Sequence, residues 1–144
     1  MLPKRLGRIW NPPLRGIASP VNPNLPIIIK EHKMKLAIIG SRGLRIDNLD
    51  DYIGEDVTEI VSGGARGVDS DAETYAEAIE IKLTVFLPDY RRYGRGAPIV
   101  RNRQIVEYAD EVLAFWDGSS KGTEFVINYC KKQGKKITVV IKKQ

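Results

Sequence analysis

At 144 residues the chain has the length of one domain with room for a proper core, and its lack of any run of roughly 18 apolar residues excludes a membrane-spanning helix. One cysteine and one histidine exclude an internal disulfide framework and weigh against zinc sites and histidine-based triads. The net charge of +5 belongs to residues 1–33, which hold six Lys/Arg and one acid, so residues 34–144 carry 17 charges of each sign. Any nucleic-acid contact by the folded part would therefore come from a local arginine cluster and not from mean charge.

Residues 1–33 also hold six of the eight prolines, which block helix and remove backbone donors. This leader is expected to be extended or disordered, with "PIIIK" as a candidate edge strand and Met34 as an alternative start. It is basic and acid-poor like a transit peptide, but its prolines spoil an amphipathic helix, and it lacks the apolar core of a secretory signal. The lone Cys130 fits a reducing, cytoplasmic compartment. No metal site is expected.

From Met34 the pattern changes. "KLAIIG" is a short apolar run ending in glycine, a buried strand. Ile46 to Tyr52 reads as a weak first helix, and "EIVSGG" as a second strand. Val68, Ala72, Tyr75, Ala76 and Ile79 then share one helical face. "KLTVFLP" is a third strand stopped by Pro88, followed by a loop from Asp89 to Ala97. Pro98 suits the first turn of a helix with Ile99, Asn102, Val106 and Ala109 on one face. "EVLAFW" is a fourth strand. "DGSSKGT" leads into a helix with Val126, Ile127 and Cys130 inward, and Gly134 sits at its C-terminal cap. "KITVVI" is the last strand.

Strands that alternate with helices and are almost continuously apolar predict an α/β fold: a three-layer sandwich with a mainly parallel five-stranded sheet and helices on both faces. Right-handed crossovers then put every strand-to-helix loop on one edge of the sheet. With the order 3-2-1-4-5, strand order reverses between the first and fourth strands, which end in "GSRG" and "DGSSKGT".

Those loops carry the unusual residues. "SGGARGVD" is a glycine-rich turn into a helix, where backbone N–H groups and the helix dipole favour an anion. Arg66 adds a planar cation suited to phosphate. Asp69 has three open roles: a helix cap, a partner for Arg66, or a ligand contact. "DGSSKGTE" sets Gly118, Gly122, Ser119, Ser120, Thr123 and Lys121 ahead of another helix N-terminus, and Thr123 fits a cap there. It matches neither Walker A nor G-x-G-x-x-G. In "VRNRQ", Arg101 and Asn102 are assigned to the ligand crevice and Arg103 to solvent. "YRRYGRG" interleaves tyrosine with arginine, as a base-stacking surface or a mobile loop. Trp116 and Cys130 read as packing residues, and Glu124 as a first-turn acid that could serve as a base.

Taken in order, "KLAIIGSRG", "IVSGGARGVDSDAETYA", "YGRGAPIVRNRQIVEYADEVLAFWDGSSKGTEFVI" and "GKKITVV" resemble the SLOG superfamily, in its YspA-like (cpYpsA-related) branch. The resemblance runs from about Met34 to Ile141 and implies a Rossmann-like domain with a pocket for a nucleotide or nucleotide-derived ligand. It maps that pocket onto Gly40, Ser41, Arg42, Gly63, Gly64, Arg66, Asp69, Arg101, Asn102, Gly118, Ser120, Gly122 and Thr123. It also sets two alternatives. DprA proteins, which bind single-stranded DNA, have elements similar to Ser62–Asp69 and Arg101–Arg103. LOG enzymes, which cleave nucleoside monophosphates, share Gly122-Thr123, but Val126 stands at the position of their glutamate. The expected partner is thus a nucleotide-derived small molecule, sensed or processed. Hydrolysis of an N-glycosidic or phosphate bond, nucleic-acid binding and homo-oligomerisation stay open, and no membrane partner is expected.

Overall fold

The apolar run at the start of the domain forms the centre of the molecule. In the computed structural model, which describes residues 33–143 together with Asn24, β1 (Met34–Gly40) buries four consecutive side chains from Leu36 to Ile39. The expectations for the leader lie outside the described residues. β2 (Val57–Ser62), β3 (Lys82–Val85), β4 (Glu111–Trp116) and β5 (Lys136–Ile141) complete one sheet in the order β3-β2-β1-β4-β5. Every pairing is parallel.

Side-chain alternation sorts the apolar residues into two layers. Leu36, Ile38, Ile60, Leu113 and Phe115 pack against α1 (Val68–Ala78) and the segment holding Leu44, Ile46, Leu49 and Ile53. Ala37, Ile39, Val61, Val112 and Ala114 pack on the other face against α3 (Ala97–Tyr108) and α4 (Lys121–Gln133). A register shift opposite Met34 and Lys35 lets Val57 and Ile60 share a layer despite their odd spacing. The result is an all-parallel α/β sandwich of the Rossmann-like kind, and among the described residues no helix is long and apolar enough to cross a membrane.

The first connection departs from expectation. Instead of a helix over Ile46 to Tyr52 there is one 3₁₀ turn, Leu49–Asp51. Asp71, on α1, explains the difference. Its carboxylate accepts from the Ile46 amide at 2.7 Å and from the Arg45 guanidinium at 2.6 Å. The first bond satisfies the Ile46 amide from outside and the second ties the Arg45 side chain to α1, and the segment lays four apolar side chains on the sheet without a helical ladder. The loop expected over Asp89 to Ala97 instead contains one helical turn, α2 (Tyr90–Tyr93), and a 3₁₀ turn, Gly94–Gly96. Asp89 caps α2 by accepting from the Arg92 amide at 3.1 Å.

In α3 the inward face is Ala97, Arg101, Ile105 and Val106, whereas Ile99, expected inside, is exposed. At the end of α4, Gly134 adopts φ 69°, and the Gly134 and Lys135 amides bond the Lys131 and Cys130 carbonyls. That is a Schellman close, which needs a residue tolerant of the left-handed region. The outer strands are less covered than the inner three: Val85 on β3 and Val139 and Ile141 on β5 are exposed.

The amino edge of the sheet is held by a buried carboxylate. Glu59 Oε2 accepts from the Tyr108 hydroxyl at 2.6 Å and the Thr84 hydroxyl at 2.8 Å, with Lys82 Nζ 3.5 Å from Oε1. Burial would raise its pKa, but these donors outweigh it and leave the carboxyl below its ordinary range.

Gly40 is where the layers meet. A Cβ there would lie 2.5 Å from Val68 Cγ2 and 2.7 Å from the Phe115 carbonyl oxygen. One contact is the first residue of α1 and the other is β4 backbone, so neither swings away. Gly40→Ala should therefore lower the unfolding free energy by about 1–3 kcal/mol, as overpacked sites do. A urea midpoint equal to the parent's would contradict this packing.

Candidate functional site

Because the connections from β1 and β4 leave toward opposite faces, a crevice opens at their carboxyl ends. Its floor is fixed by Ser41, which is buried. The Ser41 amide donates to the Phe115 carbonyl at 3.0 Å, and its Oγ accepts from the Asp117 amide at 3.2 Å. The β1 and β4 loops are thereby joined across the strand-order reversal. Gly67 sets the third loop. It has φ 76°, and a Cβ there would meet the Arg42 carbonyl oxygen at 2.5 Å, so α1 begins directly on the β1 loop backbone.

The β4 loop is shaped by Asp117, whose Oδ1 accepts from the Ser119 and Ser120 amides at 2.9 and 2.8 Å. This aspartate-centred turn brings the chain into α4, with Trp116 Nε1 bonded to the Ser120 carbonyl at 3.0 Å. Ser120, and not Thr123, is the N-cap residue, and among the described residues no side-chain cap bond is made there. Thr123 is buried within that first turn, with its hydroxyl 3.4 Å from that of Ser120. A thirteen-residue helix therefore presents an N-terminus without a side-chain cap to the crevice, where its dipole is most positive.

The cation of the site comes from α3. Arg101 is only 7% exposed. Its Nη1 donates to the Gly63 carbonyl, and its Nε donates to Asn102 Oδ1 at 2.8 Å. At Gly63 the space is tight, since a Cβ would lie 2.9 Å from Asp69 Oδ2 and 3.0 Å from Arg101 Nη1, and both side chains would have to shift. Asp69 therefore faces Arg101 across the Gly63 backbone. Burial lowers the Arg101 pKa; Asp69 and Tyr90 oppose that shift and Arg42 adds to it. The guanidinium remains a cation at neutral pH. Asp69 itself is not the cap of α1, which begins after Gly67; its Oδ2 accepts from the Ala65 amide at 3.2 Å. Burial pushes its carboxyl up to about 6, against the pull of the Ala65 amide and of Arg101, with Glu73 adding repulsion.

These loops enclose a cavity of about 410 Å³. Of the residues singled out in the sequence, Gly40, Ser41, Arg42, Arg101, Asn102, Ser120, Gly122 and Thr123 line it. Gly63 and Asp69 stand behind the wall, against Arg101. Gly64, Arg66 and Gly118 are exposed and form no part of the wall. Arg103 is also exposed and lies over the Phe125 and Tyr129 rings, 5.7 and 6.0 Å from their centroids. Gly43, Ala65, Pro98 and Asp117 complete the wall and were not singled out. Asp117 had a legible signal, because an aspartate before Gly-Ser-Ser is a strong turn former. Gly43, Ala65 and Pro98 had none, since they contribute position more than chemistry.

The Asp69 pKa has a measurable consequence. A carboxyl raised in the folded state favours folding only while it is protonated. Its contribution is intact below its ordinary value near 3.8 and is lost as pH rises toward about 6. The loss is on the order of 3 kcal/mol across that window. Thermal unfolding between pH 4 and 7.5 should show Asp69→Asn losing less stability than the parent as pH rises. Parallel profiles would mean that Asp69 does not titrate in this range.

No protein-family model, no curated protein and no solved structure matches this chain.

Proposed function

We propose that the cavity at the carboxyl edge binds a phosphate-bearing small molecule, a nucleotide or a nucleotide-derived compound. One observation carries this reading: Arg42, Arg101 and the uncapped first turn of α4 converge on a single cavity. A cationic fork, free helix N–H groups and the Ser120 and Thr123 hydroxyls together suit the three oxygens of a phosphate. The volume of about 410 Å³ is that of a small-molecule site. The likeness to SLOG domains points the same way.

Gly122 adds support. It lies in the first turn of α4, where glycine is a poor helix former, and a Cβ there would meet nothing within 4 Å. Packing does not demand glycine at this position. Glycine there leaves the helix backbone open to close approach by a ligand.

Binding fits the wall better than hydrolysis. Among the described residues the only carboxylate in the wall is Asp117, whose Oδ1 already accepts two amides that shape its own loop. Val126, at the position where LOG enzymes carry glutamate, is buried in the apolar layer under α4.

Titration calorimetry with ribose 5-phosphate and with nucleoside mono- and diphosphates tests the reading. Arg42 is exposed, so Arg42→Ala should keep the fold and weaken binding roughly tenfold to a hundredfold, the loss expected for one charge-assisted contact. Arg103→Ala, outside the wall, should bind as the parent does. Gly122→Ala should gain stability, up to about 1 kcal/mol, while losing affinity. Failure of the parent to bind any of these phosphates would reduce the glycine-rich loops to turns and caps.

A further inference from the structure

Seven large apolar side chains are exposed among the described residues, and five of them fall between residues 85 and 99: Val85 at the end of β3, Leu87, Tyr90 and Tyr93 in the connection, and Ile99 in the first turn of α3. Leu87 and Tyr90 are the barest of these, at 68% and 58% exposure. Exposed apolar groups gathered at one place mark a binding surface more often than they mark chance.

This surface adjoins the cavity. A Cβ on Gly64 would lie 2.6 Å from Leu87 Cδ2 and 3.2 Å from Val85 Cγ1. A Cβ on the preceding Gly63 would lie 3.0 Å from Arg101 Nη1, which belongs to the cavity wall. Successive Cα atoms are about 3.8 Å apart, so Leu87 Cδ2 and Arg101 Nη1 are separated by at most about 12 Å. Tyr90 stands close enough to act on the Arg101 charge. Gly63 is buried behind the cavity wall, so Leu87 lies as an apolar shelf beside Gly64, next to the Arg101 end of the cavity and outside its lining.

We propose that this shelf, Leu87 with Tyr90, is the ring-binding half of the site and takes the nucleobase of a ligand whose phosphate lies against Arg42 and Arg101. The proposal rests on the phosphate reading above and names the other end of the same ligand. A base stacks on an aromatic or apolar surface whatever its edge pattern, so the shelf accepts purines and pyrimidines, with the larger purine held more tightly.

A second copy of the chain suits the shelf less well. Arg91, Arg92 and Arg95 follow it in the chain and are exposed, and none makes an ion pair among the described residues. In a two-fold contact the same patch would face itself and bring these like charges together. An anionic ligand meets no such repulsion.

The test compares adenosine 5′-monophosphate, uridine 5′-monophosphate and ribose 5-phosphate by titration calorimetry on the full chain. The parent should bind adenosine 5′-monophosphate at least about tenfold more tightly than ribose 5-phosphate, with uridine 5′-monophosphate between them. Tyr90→Ala should remove most of that advantage and leave ribose 5-phosphate binding unchanged, whereas Tyr90→Phe should keep it. Leu87→Ser should reduce it in part. Both side chains are exposed, and an unchanged melting temperature confirms that the variants fold. Equal affinity for ribose 5-phosphate and the nucleotides would overturn the shelf while leaving the phosphate pocket standing. So would an advantage that survives both Tyr90→Ala and Leu87→Ser. A concentration-dependent dimer that Leu87→Ser abolishes, with the nucleotide advantage intact, would make the shelf a subunit interface and sink the proposal. If the parent binds none of the three compounds, the pocket and the shelf fall together.

Discussion

The architecture of the working edge follows from a missing side chain. At Gly40 the end of β1, the first residue of α1 and the backbone of β4 come within a distance that no Cβ fits. Protein interiors are packed too densely for such a contact to yield by swelling. With the three elements locked together there, Ser41 is forced into the gap between the β1 and β4 loops, where its amide and hydroxyl bond both. The crevice at the strand-order reversal is therefore set by the packing of the fold itself.

A buried guanidinium at such a place is costly, because desolvating a cation takes several kcal/mol unless its donors are met. Arg101 meets part of the demand with the Gly63 carbonyl and the Asn102 side chain, and Asp69 faces it across Gly63. Asp69 is itself desolvated enough to resist ionisation. The cation stands at the cavity wall and the carboxyl behind it, and above about pH 6 that carboxyl is ionised and offsets part of the guanidinium charge.

The opposite edge follows another logic. Glu59 is buried too, yet its oxygens receive two hydroxyls and an ammonium, and its pKa is held down. It ties β2 to β3 and to the end of α3 and leaves no unmet demand. The two buried carboxyls, Glu59 in β2 and Asp69 in the first turn of α1, are thus shifted in opposite directions, one held down by its donors and the other pushed up by burial.

Much of this was written in the chain. Period and composition dictate five buried or half-buried strands, and β4 and β5 match "EVLAFW" and "KITVVI" residue for residue, because apolar runs bounded by turn formers depend little on context. The α/β class and the edge that collects the loops follow from that alternation, since parallel crossovers leave little choice. Local signals failed where a distant group took over. Asp71 holds residues 44–53 out of a helix, and nothing near Ile46 announces it. Arg66 and Arg101 look equally available in sequence. Only the tertiary structure buries Arg101 against Gly63 and leaves Arg66 in solvent, because which arginine reaches the crevice depends on the direction in which α3 crosses the sheet. In sequence Leu87 belongs to the third strand and Tyr90 to a base-stacking surface or mobile loop; the place of Leu87 beside Gly64, more than twenty positions earlier, exists only in the fold. Residue type is a local property that the chain states outright, whereas adjacency across strands exists only once the sheet has formed.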